Sequence, residues 1–149
     1  RYSFEVDKEG YLFKLVDFQM KGLEDQFVEV SLNRIEAGAS IDLKTIRFET
    51  GSSELEEGYQ ADLVRLVNWL EANQNSNVEI IGHTDNVGSD KSNLILSSNR
   101  AKSVKSFLVA AQIDAKRLTT SGKGSKEPIS TNESEDGRAE NRRVEILIK

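Results

Sequence analysis

The chain has 149 residues, 30% of them charged and 37% hydrophobic, with a net charge of −5 and a mean hydropathy of −0.50. That composition fits one globular domain large enough to bury a core. Its basic residues are interleaved with acids rather than clustered, which argues against a phosphate-binding face and so against a nucleic-acid partner. Zero cysteines exclude a disulfide framework and a thiolate metal site, and suit a cytosolic or a periplasmic protein equally. No apolar run approaches the roughly 20 residues of a membrane span. The chain opens on Arg1 rather than Met and is read as a fragment of a longer protein, so a missing leader or anchor carries no weight.

In chain order, SFEV, YLFKLV, FVEVSL and IDLKTIRFE are short β-branched or aromatic segments separated by the turn-like KEG, KGLEDQ and EAGAS. They predict a β-rich lead-in over 1–40, either one or two hairpins or a piece of an upstream region. From Glu54 to Glu71 the period becomes helical, with Leu55, Tyr59, Leu63, Leu66, Val67 and Leu70 on one stripe. Ser52 or Ser53 is the expected N-cap, and Glu54, Glu56 and Glu57 suit the first turn. NQNSN at 73–77 ends this helix, and Val78 to Ile81 reads as a buried strand.

A second helix is expected from Asn93 or slightly earlier to about Ala111, with Leu96, Val104, Phe107, Leu108 and Ala111 facing the core. IDAKRL then makes a tight connection into the strand LTTSG. Lys123 to Arg138, with the only proline, Pro128, reads as a long surface loop. Val144, Ile146 and Ile148 alternate with Arg143, Glu145 and Leu147, which predicts a last strand. From Ile46 onward the expected order is β-α-β-α-β-β, an α/β sandwich with helical crossovers.

Candidate chemistry gathers between Gly82 and Val104, in GHTDNVGSDKSNLILSSNRAKSV. Positions 93, 96, 97, 100, 101 and 104 fall on one side of a 3.6-residue helix, so Asn93 and Arg100 share the core-directed face. An arginine there needs a partner, and two readings stay open. In one, Arg100 forms an internal salt bridge with Asp85 or another acid. In the other, Asp85 and Arg100 flank a cleft, Arg100 forking onto a ligand carboxylate and Asp85 accepting from a ligand ammonium. Asn93 would then fix orientation, and Gly82 and Gly88 would leave backbone N–H groups free for an anion.

Other chemistry is thin. His83, the only histidine, has no further His or Cys to complete a metal shell and reads as structural or loop-ordering. No serine sits in a G-x-S-x-G elbow, so neither a catalytic residue nor a cofactor is expected. Trp69 is expected at the edge of its helix. One of Arg142 and Arg143 must face inward and find an acid or a carbonyl.

Four ordered segments, IRFETGSSEL, GHTDNVGS, NLILSSNRAKSV and GRAENRRVEI, resemble the signatures of the OmpA-like peptidoglycan-binding domain, the family of the OmpA and MotB C-terminal domains. The resemblance runs from about Ile41 to Lys149. It implies an α+β fold, a β-α-β-α-β-β sandwich in which a mixed sheet packs against helices, as a domain over 41–149 after the lead-in. It also implies non-covalent, non-enzymatic binding of the peptidoglycan peptide stem by an outer-membrane-associated protein of the periplasm. By position, Asp85 matches the family residue that holds the ammonium of meso-diaminopimelate and Arg100 the one that holds its carboxylate. Thr84, Asn93 and Leu96 map onto supporting positions, Phe48 onto the strand end walling the pocket, and Arg142 onto an arginine near the site. The chain departs from the family pattern at Glu49, where an aspartate is common, and at Gly122-Lys123-Gly124, where an aromatic is common. An alternative keeps the fold but makes it a protein–protein docking module of an envelope complex, marked by an exposed apolar patch.

Overall fold

A four-stranded mixed sheet, covered on one face by two helices, organises the chain. The computed structural model describes residues 2–20, 22, 27–43, 46–57 and 60–149. Strands β1 (Tyr2–Val6) and β2 (Lys14–Phe18) form an antiparallel hairpin. The larger sheet holds β3 (Ser40–Asp42), β4 (Val78–Gly82), β5 (Leu118–Gly122) and β6 (Val144–Ile148) in the order β3-β6-β4-β5. Only the β4–β5 pair is parallel, and its crossover is helix α2 (Asp90–Ala110), as parallel pairing requires. Helix α1 (Ala61–Ala72) and a short α3 (Glu135–Asn141) complete the fold. This is the expected α+β class. Among the described residues no helix is long and apolar enough to cross a membrane.

The alternating pattern of β6 is realised directly: Val144, Ile146 and Ile148 are buried against the helices while Glu145 and Leu147 turn to the other face. Leu63, Leu66 and Leu70 of α1 and Ala101, Val104 and Leu108 of α2 close the core over Val78 and Ile80. Leu12 and Phe13, from the lead-in, belong to the same buried cluster, and Glu5 pairs with Arg65 of α1 at 2.7 Å. Trp69 is not at the helix edge but in this cluster, only 8% exposed.

Several expected boundaries move, each for a physical reason. Residues 27–33 form no strand, and the IDLKTIRFE segment contributes only Ile41 and Asp42 to the sheet, in a strand that begins at Ser40; its Lys44 and Thr45 lie outside the described residues. Ile46 and Phe48 are apolar because they are buried, not because they pair in a ladder. Helix α1 starts at Ala61 rather than Glu54, with Gln60 as a cap that makes no side-chain bond. Ser52 instead closes a local turn, its Oγ accepting from the Glu54 N–H at 3.1 Å. Glu54, Glu56 and Glu57 therefore precede the helix, and Tyr59 of the expected stripe lies outside the described residues.

Helix α2 matches expectation closely, and Ser89 caps it by accepting from the Ser92 N–H. Its buried face, however, carries Asn93, Ser97 and Arg100 as well as Ala101, Val104 and Leu108, while Leu96, Phe107 and Ala111 are only half-buried. Polar residues occupy the part of the helix that crosses the end of the sheet. The expected loop over 123–138 is cut short by α3, which Ser134 caps. Asn141 pins that loop, accepting from the N–H groups of Ile129 and Ser130 at 2.8 and 3.0 Å.

Candidate functional site

The site lies at the C-terminal end of β4, where the chain leaves the sheet as His83-Thr84-Asp85 and returns as α2. Two glycines bring helix and sheet together there. A Cβ on Gly82 would overlap the backbone carbonyl of Ser97, and one on Gly122 would come within 2.5 Å of Ser97 Oγ and Ser98 N. These residues are paired across β4 and β5, so α2 rests on bare backbone at that level. Gly82 is thus buried under the helix and offers no N–H to an anion. Gly88, at φ +92°, does line the cleft.

Asp85 is 5% exposed. One carboxylate oxygen, Oδ1, accepts from the Val87 N–H at 3.0 Å, and Oδ2 from Arg142 Nη1 at 2.9 Å. Its backbone carbonyl accepts from Thr84 Oγ1 at 2.8 Å and from Asn93 Nδ2 at 3.4 Å. The aspartate is therefore fixed from both ends before any ligand arrives.

Arg100 is fully buried. Its Nε donates to the Ser52 carbonyl at 2.9 Å, Nη1 to the His83 carbonyl at 3.1 Å and Nη2 to the Glu49 carbonyl at 3.2 Å. The guanidinium also lies 4.9 Å from the centroid of the Phe48 ring, a cation–π contact. Among the described residues no carboxylate pairs with it, so the internal salt bridge to Asp85 does not form. Burial pushes its pKa down to about 10, opposed by the nearby Asp85 charge, and the group stays cationic at neutral pH.

Asp85, Asn93, Leu96, Arg100 and Arg142 line one cleft of about 300 Å³ together with Thr50, Gly51, Val87, Gly88 and Ser92. Of the residues singled out in the sequence, Thr84 and Phe48 do not line it. Thr84 orients Asp85 from below, and Phe48 backs Arg100. Glu49 supplies its carbonyl while its side chain is exposed, and Lys123 is exposed and 3.6 Å from Glu127. The first turn of α2 contributes Ser92 and Asn93, whose helix dipole favours negative charge in the cleft.

Glu135, absent from the sequence reading, accepts from Arg142 Nη2 at 2.7 Å. Burial alone would lower the pKa of Arg142, but Glu135 and Asp85 outweigh it and raise that pKa. The seven-residue spacing of Glu135 and Arg142, two helical turns, was the available signal. His83 is fully buried with Nε2 3.3 Å from Glu145 Oε2. Burial, and then the Arg143 charge, push its pKa down to about 4. Arg143 is also buried, its Nε 4.0 Å from Asp42.

The geometry brings one carboxylate and two guanidinium groups into one cleft, set where a mixed sheet meets a crossover helix. A family model described as the OmpA family matches residues 47–142, and the chain belongs to that family. It is similar to the probable lipoprotein YiaD of Escherichia coli (strain K12), 32% identical over 136 residues, which covers 89% of this chain and 62% of that protein. It is also similar to the peptidoglycan-binding protein ArfA of Mycobacterium tuberculosis (strain ATCC 25618 / H37Rv), 42% identical over 98 residues, covering 66% of this chain and 30% of that one. Among solved structures, the cell wall anchor of the T6SS from Pseudomonas aeruginosa superposes with a TM-score of 0.61 at 34% identity, covering 73% of this chain and 78% of that chain. The peptidoglycan-associated lipoprotein from Burkholderia pseudomallei gives a TM-score of 0.66 at 25% identity, with 70% and 88% covered. The chain spans less than two thirds of the length of the curated relatives it matches.

Proposed function

We propose that this domain binds the peptide stem of peptidoglycan non-covalently, by the side-chain end of meso-diaminopimelate, and performs no chemistry on it. The parent protein would thereby be tethered to the cell wall from the periplasmic side of an outer membrane, with the binding domain running from about residue 41 to 149. The names of the relatives, a peptidoglycan-binding protein, a peptidoglycan-associated lipoprotein and a cell wall anchor, point the same way.

The observation that carries the reading is Arg100. A fully buried guanidinium satisfied by three carbonyls and, among the described residues, paired with no carboxylate keeps a charge without a directly bonded counter-ion in a desolvated place, which is costly for the free protein. Two of its five N–H donors remain for a ligand. A carboxylate entering the cleft would supply the missing counter-charge by the paired geometry guanidinium groups favour. Asp85, beside it, would accept from the ammonium on the same carbon. Diaminopimelate carries both groups there, whereas a lysine-type stem carries the ammonium alone and leaves Arg100 uncompensated.

The test is co-sedimentation with purified diaminopimelate-type sacculi. The wild-type chain should pellet with them and D85N should stay in the supernatant while melting as a folded protein. Equal sedimentation of the two would overturn the site assignment, and release of soluble muropeptides would overturn the non-enzymatic reading.

A further inference from the structure

Arg142 is shared between two acids. Nη1 donates to Asp85 Oδ2 at 2.9 Å and Nη2 to Glu135 Oε1 at 2.7 Å. The Arg142 side chain is 10% exposed, so its fork is fixed at the cleft wall, while Glu135 reaches it from the solvent side with 61% of its side chain exposed. The other Glu135 oxygen accepts from Arg138 Nε at 3.2 Å, one turn along α3. Glu135 is thereby oriented with Oε1 toward the cleft and Oε2 away from it.

The charges show what this arrangement does. Among the residues lining the cleft, the ionised side chains are Asp85, Arg100 and Arg142, one acid against two bases. Alone, that set favours any carboxylate and disfavours an ammonium. Glu135 stands just outside and adds a second acid, shared with Arg138, which moves the local charge away from a net preference for anions and toward what a zwitterion needs. It also takes one N–H of Arg142 Nη2, a donor that would otherwise compete for a ligand carboxylate.

We infer that Glu135 is a specificity-determining positioning residue, which takes one arm of the Arg142 fork and adds negative charge close to Asp85, the group that would accept an ammonium. The cleft then prefers an end group bearing both charges over one bearing a carboxylate alone. This rests on the reading of the cleft as a diaminopimelate site. Because Glu135 is exposed, screening keeps its influence on either ligand modest. Its signature is that the two ligands respond in opposite directions.

The experiment titrates the wild-type chain, E135Q and E135D at low salt with two synthetic stem peptides. One carries meso-diaminopimelate at its third position, and the other 2-aminopimelate, which keeps the side-chain carboxylate and lacks the ammonium. E135Q should weaken the diaminopimelate stem roughly threefold and strengthen the 2-aminopimelate stem by a similar factor. E135D, which keeps the charge, should return the ratio of the two affinities toward the wild-type value. A ratio unchanged by E135Q, including equal weakening of both stems, would overturn the inference while leaving the site itself standing. A wild-type chain with no preference for the diaminopimelate stem would overturn the underlying reading and this inference with it.

Discussion

Asp85 and Arg100 face the same cleft without pairing with each other. Asp85 is taken by Arg142 and the Val87 N–H, and Arg100 by the carbonyls of Ser52, His83 and Glu49. Opposite charges kept apart in a low-dielectric wall are the arrangement that the proposed dipolar ligand would need. Were they paired, the ligand would have to break their bond before making its own. The separation is enforced by partners that come from the rest of the fold.

Those partners make Asp85 and Arg100 unequal as mutation sites. In D85N the new side-chain oxygen still accepts from the Val87 N–H, and Arg142 keeps Glu135. Thermal melting should therefore show a small decrease, while loss of a desolvated charged contact should cost about 2–5 kcal/mol of ligand binding. An isothermal titration that retains wild-type affinity in D85N would contradict this.

Arg100 has a structural duty as well. R100A would strip donors from three carbonyls and leave a cavity behind Phe48, and urea unfolding should register a loss of about 2–4 kcal/mol. R100K keeps the charge and reaches fewer carbonyls, so it should fall between wild type and R100A in stability. It should still bind stem peptide poorly, because an ammonium cannot make the paired contact.

The approach of α2 to the sheet can be tested at Gly82. In G82A the added methyl meets the Ser97 backbone, which cannot rotate away as a side chain could. Denaturant unfolding should show a loss at or above the upper end of the ~1–3 kcal/mol typical of overpacking. Gly38, with no atom within 4 Å of an added Cβ, lacks this clash, but at φ +90° a side chain there would be strained through the backbone instead.

Stability should also depend on pH through His83. Its pKa falls from 6.5 unfolded to about 4 in the folded chain, so between those values the unfolded chain binds more protons. The contribution is fully present above pH 6.5 and is lost as pH drops toward 4. Between pH 8 and pH 5 this corresponds to about 2 kcal/mol. Glu145, whose pKa is raised by burial and by Asp42, opposes the trend at the acid end. Urea midpoints measured across this range should fall with acid in the wild type and more gently in H83Q.

The elements most legible in the sequence were those whose periodicity survives in the fold. β4, β5 and β6 are apolar or alternating, and α2 is long and capped by Ser89. The segment around 49–57 departs from its apparent periodicity because its conformation is imposed from far along the chain. Arg100 takes the carbonyls of Glu49 and Ser52, and Ser103 Oγ donates to the Ser53 carbonyl at 2.7 Å. A helical stripe of leucines and acids cannot reveal that side chains some fifty residues later will claim its backbone.

The same limit applies at the site. Helical-face arithmetic brought Asn93, Leu96 and Arg100 together, and chain proximity added Asp85. It could not choose between a salt bridge and an open clamp, because that choice depends on Arg142 approaching from β6 and α3. α3 itself was hidden: its seven residues bury only Gly137 and Asn141, so no apolar stripe announces it. Glu135 was lost with it.

The central claim is that the cleft recognises both charges at the end of one side chain. NMR titration of the labelled wild-type chain with a stem peptide carrying meso-diaminopimelate, and separately with its lysine counterpart, tests this most directly. Saturable shifts are expected at Asp85, Asn93 and Arg100 with the diaminopimelate stem, and none at matched concentrations of the lysine stem. Equal binding of the two stems, or shifts confined to residues outside the cleft, would contradict it.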